Sequence, residues 1–274
     1  MTRISMPHLL AVKRKSGRTP PRFPFTVPVI ESLTTLDLDA PVTFFVGENG
    51  SGKSTLLEAI GAAAGLPAVG SQDLGRDPTL AAQAELGRTL TLQWRKRTHR
   101  GFFLRAEDFF GYQRRLAKER QELEERLVEI DHDYQDRSAY ARGLARGPVA
   151  GSLAEMERRY GRDPDARSHG EAFLELFRGR FVPGSLILLD EPEAALSPQN
   201  QLGLVALLLA MVEQRAQFIV ATHSPIVLGT PDARIYSFDA GRVSPARYET
   251  LDHVLITRDF LNDPERFLRH LGGG

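Results

Sequence analysis

Apolar runs of strand length punctuate the chain, and between them apolar positions recur at helical spacing. Ile4–Val12 reads as a first strand, and the basic, proline-rich arm Lys13–Pro28 that follows cannot pair regularly. Val42–Val46 is apolar in nearly every position, the pattern of a strand covered on both faces, and Leu56–Ile60 reads as the opening of a helix. Thr89–Trp94 alternates in strand fashion, and Phe102–Arg105 is a further strand with Arg95–Gly101 as the turn between them, a hairpin tip. Leu186–Leu189 and Phe218–Ala221 are continuous apolar runs of buried-strand type. Ser197 and Pro198 suit the N-cap and first position of a helix over Gln199–Gln214. Ile235–Phe238, a turn at Asp239–Gly241 and Arg242–Val243 predict a hairpin, followed by helices around Leu251–Leu261 and Pro264–Leu271.

The middle of the chain has a different texture. Tyr112–Asp136 is charged, with Leu116, Leu123, Leu127 and Ile130 on one helical stripe. Ala141–Pro164, rich in Gly, Arg and Pro, predicts a loop, and Gly170–Phe177 a helix. Strands alternating with helices predict an α/β core. The expected organisation is one domain over residues 1–274, with residues 112–165 as a helical insertion.

Composition narrows the classes. The 274 residues carry 35 basic and 35 acidic side chains, so the chain is no global polycation coating nucleic acid, although a local basic face stays open. With no cysteine, disulfides, zinc–thiolate sites and cysteine nucleophiles are excluded. The most apolar helix, Leu202–Val212, is shorter than the ~20 residues a membrane span needs, and Met1–Ser5 has no signal-like apolar core. A cytoplasmic location is the expectation.

Chemistry concentrates at Gly47-Glu48-Asn49-Gly50-Ser51-Gly52-Lys53-Ser54-Thr55, which matches G-x-x-x-x-G-K-[ST] between a strand and a helix. Glycines let backbone N–H groups approach phosphate oxygens, and the helix N-terminus adds positive potential. Lys53 supplies a full charge, and the Ser54 hydroxyl suits Mg²⁺. Asn49, Gly50, Ser51, Gly52 and Thr55 complete a site for a nucleoside triphosphate. Asp190 and Glu191 end a buried strand, where α/β sheets place ligand chemistry. The first carboxylate suits the metal and the second a general base that orients water. His223 follows the next strand end and suits a hydrogen bond to the γ-phosphate and the attacking water. Phe23 and Phe25 in the arm read either as a base-stacking surface or as plugs at a core edge. Arg95, Lys96, Arg97 and Arg100 read either as a phosphate-binding turn or as a solvated tip.

The order GENGSGKST, Ser168-His169-Gly170-Glu171, Leu-Leu-Asp-Glu-Pro-Glu at 188–193 and Thr-His-Ser-Pro at 222–225 resembles an ABC-type ATPase. The wording of 190–198 and 221–225 is closest to the soluble AAA-labelled branch, with its RecF-, SMC- and OLD-nuclease-like domains and compact stand-alone ATPases. The resemblance implies a P-loop NTPase core of ABC-ATPase type, a mixed sheet flanked by helices, with a helical subdomain inserted. It implies ATP and Mg²⁺ as cofactors, hydrolysis to ADP and phosphate, and an ATP-dependent head-to-tail homodimer. Ser168 and Gly170 take the signature-motif role of capping the neighbour's γ-phosphate. Three positions depart from the family pattern. His169 replaces a usual glycine; Ser197 replaces a usual aspartate. Glu107, or less directly Gln113, stands where the family has a metal-sensing glutamine. Three roles are open to such an engine: DNA maintenance or phage defence, the nucleotide-binding subunit of a transporter, or an ATP-gated sensor acting on a separate protein effector.

Overall fold

The computed structural model describes residues 7–17, 20–69, 81–160 and 169–271. These separate into two compact units, one of residues 1–106 with 181–274 and one of residues 107–180.

The first unit holds two sheets. Strand β1 (Leu9–Arg14) pairs antiparallel with β2 (Thr35–Asp37) on one side and β4 (Leu90–Trp94) on the other, giving the order β2-β1-β4. Between β1 and β2 the arm runs into a single turn, α1 (Pro28–Glu31). Phe25 is buried in the core beside Val29 and Ile30, whereas Phe23 is 52% exposed. Of the two readings of the arm, the core plug therefore holds for Phe25.

The second sheet has the order β5-β6-β7-β3-β8-β9. It is built from β3 (Val42–Val46), β5 (Gly101–Arg105), β6 (Leu186–Asp190), β7 (Gln217–Ala221), β8 (Arg234–Ser237) and β9 (Ser244–Ala246). All neighbours are parallel except β8 and β9, which form the antiparallel pair expected of the C-terminal hairpin. Strands β3, β6 and β7 are buried at every position, as their unbroken apolar runs require of strands covered on both faces. The helices of this unit are α2 (Lys53–Ala64), α3 (Ala81–Arg88), α7 (Pro198–Glu213), α8 (Pro225–Leu228), α9 (Asp252–Asn262) and α10 (Pro264–Leu271). Ser197 caps α7 as its sequence predicts, its side chain accepting from the Asn200 N–H.

One polar side chain ties the two sheets together. Gln217, fully buried in β7, accepts from the N–H groups of His8 and Leu9 and donates to the carbonyls of Leu9 and Leu38, all at 2.7–2.8 Å. A buried amide is tolerated because both of its ends are satisfied.

The expected hairpin between β4 and β5 does not exist. Strand β4 pairs with β1 and β5 pairs with β6, so residues 95–100 cross from one sheet to the other. The crossing is pinned at buried Thr98, whose hydroxyl donates to the Gly184 carbonyl at 3.1 Å. Strands adjacent in sequence read as partners, but each pairs instead with a strand distant in sequence.

The second unit is helical: α4 (Ala106–Asp133), α5 (Ala139–Tyr160) and α6 (His169–Arg180). Arg146 pairs with Asp131 near the connection, and Arg120 lies 3.9 Å from Glu157 farther along, so α4 and α5 form an antiparallel helical hairpin. Phe173 meets Phe109 edge-on at 5.1 Å and stacks on Phe177 at 6.4 Å. The loop expected over 141–164 is corrected: residues up to Tyr160 are helix, with Pro148 inside it. Residues 161–168 lie outside the described residues. Ala141, Ala145, Val149, Leu153 and Met156 are among the half-buried positions of α5, a stripe at helical spacing that tertiary packing makes decisive over glycine and proline content.

Among the described residues no helix is long and apolar enough to cross a membrane.

Candidate functional site

Parallel pairing brings the carboxyl ends of β3, β7 and β6 to one edge. Phe45 is in register with Ala221, and Ala221 with Asp190. Strand β7 thus lies between the strand that precedes the glycine loop and the strand that ends in two acids. The loop after β3, the acids at 190–191 and His223 meet at that edge because the sheet places them there.

Within the loop, Gly52 immediately precedes α2 with φ 99°, and a Cβ there would meet Val29 at 2.6 Å and Val27 at 2.8 Å. Helix α1 therefore packs directly on the loop, and only glycine fits. Gly50, also left-handed at φ 80°, faces open space. Asn49 and Gly50 form the exposed rim, while Lys53 is buried at 4% exposure. The Lys53 ammonium donates to the carbonyls of Gly47 at 2.6 Å and Glu48 at 2.9 Å. Burial lowers its pKa, opposed by the carboxylates of Glu191, Asp190, Asp239 and Glu193. Thr55 is half-buried in the first turn of α2.

Asp190 accepts from the Ser54 hydroxyl at 3.0 Å. Burial raises its pKa to about 7, against the lowering effect of the Ser54 hydrogen bond. Glu191 has left-handed backbone angles, φ 49° and ψ 48°, uncommon for a residue with a side chain. Its N–H donates to the Ala221 carbonyl at 2.9 Å, which locks this turn onto the end of β7. His223 Nε2 lies 4.0 Å from Glu191 Oε1.

Three contributors were not singled out from sequence. Glu193 accepts from the His223 N–H at 2.6 Å, and burial raises its pKa. Asp239, expected only as a turn residue, accepts from the Glu48 N–H at 3.1 Å and from the Ser237 hydroxyl at 2.7 Å. Arg105, level with Asp190 in the sheet, pairs with Glu58 of α2 and lies 5.7 Å from the Phe103 ring. Glu193 had a signal, a third acid beside the two at the strand end. The role of Asp239 has none, since it depends on β8 lying next to β3.

The remaining predicted residues fall elsewhere. Glu107 begins the second unit in α4, and Gln113 lies farther along that helix. Gly170 is buried in the first turn of α6, and Ser168 lies outside the described residues. Among the described residues no group of three or more His, Cys, Asp or Glu side chains converges to hold a metal ion.

The donor set fits a triphosphate with Mg²⁺. The Ser51 hydroxyl oxygen is buried without a hydrogen-bond partner, and Ser54 with Asp190 presents paired hard oxygen donors. A cation held there would be bound by Ser54 and Asp190.

Two family models match the stretches that carry this site. A family model described as an AAA domain matches residues 27–77, which contain the glycine loop. A second, described as "AAA domain, putative AbiEii toxin, Type IV TA system", matches residues 172–229, which contain the two-acid strand and His223. No curated protein matches the chain by sequence. A nucleotide-free ATP-binding cassette from an ABC transporter is 17% identical, covering 94% of this chain and 96% of its own, with a TM-score of 0.47. The Smc head domain of Pyrococcus furiosus, solved with an extended coiled coil and bound to the C-terminal domain of ScpA, is 13% identical. That comparison covers 93% of this chain and 100% of the other, at a TM-score of 0.44. The SMC head domain of Thermotoga maritima is 14% identical over 88% and 99%, at 0.43. The glycine loop between β3 and α2 on a parallel sheet, with AAA-described models matching the stretches that carry the loop and the two-acid strand, gives a P-loop NTPase fold.

Proposed function

We propose that this ABC/SMC-like P-loop ATPase binds ATP with Mg²⁺ and hydrolyses it to ADP and phosphate as an ATP-dependent head-to-tail homodimer. The observation that carries the reading is the convergence of Ser54 and Asp190 at 3.0 Å with Glu191 and His223 at 4.0 Å, on the edge where the glycine loop lies. The loop amides and Lys53 hold the phosphates. Ser54 and Asp190 hold the cation, which supplies charge neutralisation on the phosphate oxygens. Glu191 accepts a proton from the attacking water, and His223 orients that water. Glu193 supports His223 from behind through its backbone N–H. Ser168 and Gly170 take the capping role toward the other copy's nucleotide. Glu107 takes the place of the metal-sensing glutamine.

Coupling to DNA maintenance or phage defence, in the cytoplasm, is the role we favour. The AAA model described with AbiEii toxin supports it, as does the basic crossing at Arg95, Lys96, Arg97 and Arg100, where Lys96 and Arg97 are exposed.

The two-copy arrangement is tested with Glu191→Gln. This substitution keeps the size of the side chain and removes the base. With excess ATP and Mg²⁺ the variant is expected to accumulate as a dimer by light scattering. A variant that binds ATP and stays monomeric would remove the two-site reading.

A further inference from the structure

One side chain from the C-terminal region reaches the same edge. His253 lies in the first turn of α9, and its ring centroid is 6.4 Å from that of His223, with the planes at 66°. Nε2 of each ring is buried without a hydrogen-bond partner. The start of α9 is anchored, since Leu251 and Val254 on either side of His253 are buried. The short turn before it is tied to the His223 segment, where the Tyr248 hydroxyl donates to the Pro225 carbonyl at 3.1 Å. That segment is itself held by the Ser224 hydroxyl, which donates to Gln201 of α7 at 2.6 Å.

The main chain of His223 is fixed by Glu193, but its ring is not. The 4.0 Å between Nε2 and Glu191 is too long for a hydrogen bond, so packing must decide where the imidazole points. An edge-on aromatic neighbour is a geometry that rings prefer. The charged groups facing the pair are Lys53 of α2, Glu191 and Glu193 after β6, Asp239 after β8, and Asp252 on α9 itself.

We propose that His253 is a positioning residue: its ring, packed edge-on against His223, holds that imidazole beside Glu191, so that α9 forms part of the hydrolytic site. The inference rests on the hydrolytic role assigned to His223 above. Burial lowers the pKa of both rings, and a proton on His253 further disfavours one on His223. The pair therefore works as two neutral imidazoles at neutral pH.

The test compares the full chain with His253→Ala and His253→Phe. In His253→Ala, kcat is expected to fall about 10- to 100-fold with KM for ATP nearly unchanged, since a misplaced group costs rate rather than ground-state binding. His253→Phe keeps a ring against His223 and is expected to restore most of kcat. A readout independent of turnover is the NMR titration of the His223 ring. Its pKa should move upward in His253→Phe, because the neighbour that disfavoured its proton is gone. Wild-type kcat in His253→Ala overturns the proposal, and so does a His223 titration unchanged in both variants. A loss of ATP affinity that parallels the loss of kcat marks a structural prop and overturns it as well. If the unmodified chain fails to turn over ATP, the hydrolytic reading falls, and the titration still decides whether the two rings are coupled.

Discussion

Asp190 sits where a carboxylate is costly. It is 8% exposed, and burial holds its pKa at about 7 rather than near the ordinary carboxylate value. The folded chain thus keeps this proton up to about pH 7, while the unfolded chain releases it near 3.8. Folding takes up a proton between those values, so stability from this group is highest below the window and falls as pH rises through it. The accumulated cost by pH 8 is on the order of 4 kcal/mol. Asp190→Asn removes it. In Mg²⁺-free buffer the variant should melt above the parent chain at pH 8, with the gap closing toward pH 4; equal melting temperatures at pH 8 would contradict the buried-acid account. The same cost favours a cation beside Ser54, which repays the desolvation that the fold imposes. The glycine loop, Asp190, Glu191 and His223 were legible in sequence because a strand end marks each of them. Asp239 and His253 are not, because each acquires its role only when another element is laid against it, while Glu193 carries the weaker signal of a third acid beside the strand end.

At the scale of elements, the sheet decides what local pattern cannot. Thr89–Trp94 and Phe102–Arg105 read as two arms of a hairpin, yet they belong to different sheets, and residues 95–100 bridge them. No local signal separates a hairpin from a crossing when the connection is short and polar. The helix α5 shows the opposite lesson. Its composition, with glycines and Pro148, points to a loop, and the spacing from Ala141 to Met156 becomes meaningful only once the packing of the helix shows which positions it buries. Gln217 helps join the sheets from β7, an apolar strand in which one amide looks out of place. Its hydrogen bonds to His8, Leu9 and Leu38 explain it. Gln217→Leu keeps the volume and orphans those backbone groups. A loss of about 2–4 kcal/mol, roughly 5–10 °C in thermal melting, is expected. A variant as stable as the parent would mean that the Gln217 hydrogen bonds add nothing net, leaving the join to apolar packing and to contacts such as the Tyr236 hydroxyl donating to the Asp37 carbonyl at 2.9 Å.

At the scale of the molecule, zero formal net charge confines any polyanion contact to a local basic face, and the crossing at Arg95, Lys96, Arg97 and Arg100 is the segment to test. Replacing Arg95, Lys96, Arg97 and Arg100 with alanine should weaken DNA binding and flatten its salt dependence, with ATP affinity retained. An unchanged binding isotherm would remove nucleic acid as a partner of this segment. Whether one edge of the sheet binds and hydrolyses ATP is read from phosphate release alongside bound nucleotide, in the parent chain and in Glu191→Gln. The account predicts Mg²⁺-dependent release from the parent chain and at least a 100-fold slower release from the variant, with ATP still bound to both. A chain that retains no ATP, or a variant that hydrolyses as fast as its parent, would contradict it.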